Sequence, residues 1–175
     1  MKKTRQRKEI QEALAQMSHV DKQDASESIC ARLTSIASVV FADTILGYLN
    51  IEDEVDVSDL LSLWIDESRT VCTPVVSWEN KTMQAGLLTS MEPSELRETR
   101  HGLLEPAHRH CIPAEYIDVV IVPGIAFDVP ESLLSQGGES GQLLSNYKKV
   151  SEKLIKIVDS EKSCCKRFSR GFRWF

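Results

Sequence analysis

The period of apolar positions changes several times along the chain. Ile10, Ala13, Leu14 and Met17 fall on one helical stripe over residues 2–17, with charged side chains filling the rest. A second helix is expected over residues 21–38, with Ile29, Leu33 and Ile36 turned inward and Asp21 as its cap. Residues 44–49 (Thr-Ile-Leu-Gly-Tyr-Leu) are a short apolar run suited to a buried strand. Helical spacing returns over residues 57–65, with Asp56 or Ser58 as the start signal. Residues 70–76 are β-branched and predict the next strand, and residues 82–88 a weaker one. Pro93, Pro106 and Pro113 break residues 89–114 into connecting chain. Ile117-Asp118-Val119-Val120-Ile121-Val122 is the clearest strand, stopped by Pro123-Gly124. Leu143, Tyr147, Val150, Leu154 and Ile157 then mark one amphipathic helix, while residues 163–175 show no period.

Helices alternating with short buried strands argue for an α/β fold: an open, mostly parallel sheet flanked by helices. In such sheets the ligand crevice lies beyond the carboxyl ends of the strands. Two segments qualify. Residues 48–56 follow one strand with Glu52, Asp53, Glu54 and Asp56, and residues 122–128 follow another with a turn, Phe127 and Asp128. Glu52 and Asp53 read as a solvated acidic loop, Phe127 as core. Trp64 and Trp78 are expected in the core.

Composition narrows the field. The 175 residues suffice for one domain, and 42% hydrophobic with 27% charged residues excludes a disordered chain. No apolar run approaches the ~20 residues of a membrane span, and the basic N-terminus lacks the apolar stretch of a signal peptide. Five cysteines without a Cys-x-x-Cys pair suit reduced thiols and a cytoplasmic setting. His101, His108 and His110 cluster near Cys111, but the spacing fits no structural zinc pattern, and no metal ligands are assigned. The net charge of −5 hides an asymmetry. Residues 145–175 carry nine Lys/Arg against three Asp/Glu, or +6, so residues 1–144 carry −11.

Four segments, in order, carry a resemblance. They are Lys3-Thr4-Arg5-Gln6-Arg7-Lys8; Tyr48-Leu49 with Asp53-Glu54-Val55-Asp56; Gly102-Leu103-Leu104-Glu105-Pro106; and Pro123-Gly124-Ile125-Ala126-Phe127-Asp128 after its strand. Together they resemble the 5-formyltetrahydrofolate cyclo-ligase (methenyltetrahydrofolate synthetase) family over residues 3–128. The resemblance implies ATP- and Mg2+-dependent closure of 5-formyltetrahydrofolate to 5,10-methenyltetrahydrofolate, with release of ADP and phosphate. It implies Lys3 and Arg7 at the ATP phosphates and Leu49 and Glu54 at the folate. Glu105 reads as a turn-forming contact rather than a catalytic group, and no residue is assigned a catalytic role.

Past Asp128 the pattern departs. The family carries Arg-Leu-Gly-x-Gly-x-Gly-Tyr-Tyr-Asp-Arg, a loop whose backbone N–H groups cradle phosphate. Here Gly137 and Gly138 survive at the expected distance as a vestige of the ATP loop, followed by Glu139 and no Tyr-Tyr-Asp-Arg. The chain is therefore divided into a cyclo-ligase-like α/β domain (1–142) and a divergent helical, basic segment (143–175), with the sheet lacking its last strands. The change is read as a shift of reading frame, or as divergence of a relative that has lost ATP turnover. Activity is expected to be impaired. The alternative function is non-catalytic: folate binding alone, or binding of an anionic partner through the tail, where Arg167, Arg170 and Arg173 interleave with Phe168, Phe172 and Trp174. The leading expectation is a monomer with a small-molecule substrate, without nucleic acid or membrane partners.

Overall fold

The computed structural model describes residues 8, 10–52, 54–80 and 82–124, and beyond these the backbone of three short strands. Residues 10–14 are helical. Three helices follow: α1 (His19–Leu33), α2 (Ala37–Val40) and α3 (Ser58–Asp66). The strands are β1 (Thr44–Leu46), β2 (Thr70–Ser77), β3 (Thr82–Leu87), β4 (Leu96–Glu98), β5 (Leu104–Pro106), β6 (Cys111–Ile112), β7 (Val119–Gly124), β8 (Ala126–Phe127), β9 (Leu133–Leu134) and β10 (Leu154–Val158).

Six strands form one sheet in the order β10-β7-β1-β2-β3-β6. The pairs β10·β7, β7·β1 and β1·β2 are parallel, and β2·β3 and β3·β6 antiparallel. The expected open, mostly parallel sheet flanked by helices is the observed fold. Its two faces are both apolar. On one, Ile45, Val71, Val119 and Ile121 meet Leu33 of α1 and Leu60, Leu61 and Trp64 of α3. On the other, Leu46, Cys72, Val120 and Val122 pack with Ala85 and Ile117. Burial on both faces is why β1 and β7 read as continuous apolar runs rather than alternating ones.

Several boundaries differ from those expected. The helix predicted over residues 21–38 stops at Leu33. There the Thr34 and Ser35 hydroxyls bond the carbonyls of Ala31 and Arg32, and Ile36 is extended before α2 begins. Its cap is Ser18, not Asp21. Asp21 stands at the third helical position and closes a capping box with Ser18. Asp56 does serve the start of α3, its carboxylate accepting from the Ser58 N–H. The strand after residue 44 ends at Leu46 rather than residue 49. Residues 89–114, expected as connection, hold the β4–β5 hairpin and β6.

The largest difference lies at residues 154–158. Leu154 and Ile157, expected on an amphipathic helix, belong to β10, which runs parallel to β7 with Leu154 opposite Val120 and Val158 opposite Gly124. A short apolar run satisfies both periods, and pairing with the free edge of β7 decides between them. The sheet therefore has a strand at the edge where its last strands were expected to be missing.

β2 outruns β1, and this shapes the carboxyl end of the sheet. The last β1 bond to β2 is donated by the Gly47 N–H to Cys72 O. Farther along the same flank, Pro74 has no N–H to satisfy, which makes a proline tolerable inside this strand. The Val76 N–H is met by the Glu105 carboxylate at 2.8 Å. Beside it, β3 packs closely on Val75 of β2 at Gly86, which has no side chain. A Cβ there would strike Val75 and lie 3.5 Å from Pro106 Cγ.

Candidate functional site

The chain leaves β1 toward β2 on one side and leaves β7 toward β10 on the other. That reversal between neighbouring parallel strands is a topological switch point, where a crevice opens beyond the carboxyl ends. The two segments singled out in the sequence both leave from it. Of the second, only the backbone of β8 is described, pairing with β9 so that Ala126 opposes Leu134 and Phe127 opposes Leu133.

The loop after β1 is held from several directions. Tyr48 is buried and its hydroxyl donates to Val55 O at 2.8 Å, closing the loop at its base. Inside it the Glu54 N–H donates to Ile51 O (2.9 Å), and the Ile51 N–H donates back to Glu54 Oε2 (3.3 Å). The loop is tied to α1 at its far end: the Asp56 N–H donates to Ser26 Oγ (3.1 Å), and the Cys30 thiol to Asp56 O (3.4 Å). The Ser58 hydroxyl donates to Asn50 Oδ1 (3.1 Å).

These bonds present two side chains. Leu49 is half-buried against the core face. Glu54 is half-buried as well, and burial raises its carboxyl above the ordinary value of 4.5, offset in part by the Ile51 N–H. Its second oxygen, Oε1, takes no hydrogen bond among the described residues. Such a carboxylate can accept a hydrogen bond from a ligand N–H.

Of the residues assigned from sequence, the structure thus brings Leu49 and Glu54 into one braced loop. Lys3, Arg7, Gly137 and Gly138 lie outside the described residues, as do Asp53, Asp128 and Glu139. Glu105 is 1% exposed, and its two oxygens take the Val76 N–H and Arg97 Nη2 (2.7 Å). It ties the hairpin to β2. Sequence reasoning missed the bracing by Tyr48 and Ser26. The available signal was a tyrosine, not a phenylalanine, in a buried run, because a buried phenol needs a partner for its hydroxyl.

The 5-formyltetrahydrofolate cyclo-ligase family profile matches residues 1–163. The chain belongs to this family. The match passes Asp128, where the motif resemblance ends, and takes in the segment that carries β10. Two solved structures share the fold. The NMR structure of Aquifex aeolicus 5,10-methenyltetrahydrofolate synthetase superposes with a TM-score of 0.73 at 24% identity, over 90% of this chain and 77% of that one. The Mycoplasma pneumoniae 5,10-methenyltetrahydrofolate synthetase gives 0.64 at 16% identity, over 85% and 80%. No match emerged among curated proteins. Among the described residues no helix is long and apolar enough to cross a membrane.

Proposed function

We propose that this cyclo-ligase-family chain binds 5-formyltetrahydrofolate at the loop after β1 and closes it to 5,10-methenyltetrahydrofolate at the expense of ATP, with turnover weakened by its altered ATP loop. The observation that carries the reading is Glu54, half-buried at the switch point with one carboxylate oxygen unpartnered among the described residues. Reduced pterins present N–H donors, and a carboxylate partly withdrawn from water binds them more strongly than an exposed one. Leu49 adds an apolar contact beside it.

The chemistry requires a leaving group and close approach. A formyl oxygen leaves poorly, and ATP, as phosphoryl donor, converts it to phosphate. The neighbouring N10 then attacks within the same molecule, where holding the two nitrogens in place contributes most of the rate. This chain's part is to fix the pterin against Leu49 and Glu54. Lys3 and Arg7 would meet the phosphates, with Gly137 and Gly138 beside them. Glu139 sets a negative charge into the same segment, where it would oppose a triphosphate, and the Tyr-Tyr-Asp-Arg that follows the loop in the family is replaced. Among the described residues no three His, Cys, Asp or Glu side chains group as a metal site, and no step is assigned to Mg2+.

A melting series with 5-formyltetrahydrofolate, ATP–Mg2+ and both together tests this. At a hundredfold excess over Kd, folate alone should raise Tm by about 5–10 °C. Both together should give a slow rise of methenyl absorbance. A folate shift with no turnover would leave a folate-binding protein. No folate shift, with salt-sensitive binding to single-stranded nucleic acid that is lost on deleting residues 163–175, would replace the reading by a tail-mediated one.

A further inference from the structure

We propose that Tyr48 is a positioning residue for Glu54: its hydroxyl, by holding Val55 O, sets where the Glu54 carboxylate meets the substrate. The proposal rests on the folate reading above and names the part of the loop that makes its site.

The hydrogen-bond lengths decide which contact sets the position. The contact between the Glu54 carboxylate and the Ile51 N–H is 3.3 Å, beyond the usual N–H···O range, and leaves the side chain weakly held. The Tyr48 O–H···O=C Val55 bond is 2.8 Å and buried, with Tyr48 only 5% exposed. Val55 directly follows Glu54, so holding the Val55 carbonyl fixes the Val55–Asp56 peptide, the second peptide plane after the Glu54 Cα. The Tyr48 ring is itself fixed, packed in the core with Val55, Val57, Leu60 and Leu61. A core-packed ring two residues past β1 thus reaches across the base of the loop and grips its far side. Ser26 grips the other edge of the same peptide, since its hydroxyl accepts the Asp56 N–H and donates to Lys22 O at 2.9 Å. The two bonds clamp one peptide from opposite edges, and the Tyr48 bond is the shorter, at 2.8 Å against 3.1 Å.

A buried tyrosine also packs, so the test must separate the hydroxyl from the ring. Tyr48→Phe keeps the ring and deletes the bond. Calorimetric titration of the full chain with 5-formyltetrahydrofolate should give a Kd about three- to tenfold higher for Tyr48→Phe than for the unaltered chain. The loss should all but vanish when Tyr48→Phe is made in a Glu54→Gln background, because the bond acts through that carboxylate. Tyr116→Phe, an exposed tyrosine away from the loop, should leave Kd unchanged. Should Tyr48→Phe be too unstable to titrate, Ser26→Ala, which loosens the same loop from α1, should show the same coupling to Glu54→Gln. An unaltered Kd in Tyr48→Phe, or an equal loss in both backgrounds, overturns the proposal while leaving the folate reading intact. Absence of binding by the unaltered chain overturns that reading and this proposal with it.

Discussion

At the scale of single residues, burial and hydrogen bonding set the behaviour of Glu54. Its carboxyl is raised because withdrawal from water disfavours the charged form, and the long Ile51 contact only partly compensates. Between the ordinary value of 4.5 and the raised one, the folded chain holds a proton that the unfolded chain has released. Stability contributed by this group therefore falls as pH rises through that interval, and the cost is fully present above it. Glu54→Gln removes the charge. In urea unfolding without ligand, the variant should match the unaltered chain below about pH 4.5 and become the more stable of the two above the interval. Parallel pH curves would show that burial of the charge is not the cause. The same substitution should weaken folate binding, so a gain in stability paired with a loss of affinity separates a site residue from a structural one. Cys30 and Cys72 contrast with it. Burial pushes both thiols up to about 11 and keeps them protonated at neutral pH, with nearby Asp56 adding to the effect at Cys30 and Cys111 at Cys72.

At the scale of elements, the exit of β1 shows how packing places the site. Gly47 is the first residue after the strand, and a Cβ there would lie 2.8 Å from Cδ2 of Leu61, which is fully buried in α3. The close approach brings α3 onto the sheet, and α3 in turn begins directly after the loop that carries Leu49 and Glu54. Gly47→Ala should cost about 1–3 kcal/mol in chemical unfolding, and much of that cost should be recovered in combination with Leu61→Val, which makes room. Strictly additive losses would mean the two residues do not share the constraint. This element was partly legible in sequence. The apolar periods located β1, α3, β2, β3 and β7 to within a few residues, and the loop with Leu49 and Glu54 was found because it follows a buried strand. The β4–β5 hairpin was not legible. Three prolines signalled interruption, while its cohesion comes from the cross-strand pair of Arg97 and Glu105 and the Val76 N–H. Those are contacts between residues 8 to 29 positions apart that no local period records. The cap of α1 was misplaced by three residues for a related reason, since both members of a capping box are good N-cap types and only geometry says which one is first.

At the scale of the whole molecule, the C-terminal third is where sequence and fold diverge most. The loss of the glycine-rich pattern and the change of charge suggested a segment foreign to the domain. The family match instead runs to residue 163, and Leu154–Val158 pairs with β7 over five registered positions. Truncation gives a graded test of what β10 contributes. Without β10, β7 becomes the sheet edge, and an exposed apolar edge strand both loses its ladder and invites association between chains. A chain ending at residue 142 should therefore unfold at lower denaturant and elute as larger species, because the −11 portion then carries an uncovered Val-Val-Ile-Val edge. A chain ending at residue 163 keeps β10 and every residue of the family match. It should unfold like the full chain and retain its folate shift. Equal stability of all three would show that β10 adds nothing to the sheet and would support the division at residue 142. Loss of stability only on removing residues 164–175 would place the stabilising contacts in the basic terminus instead.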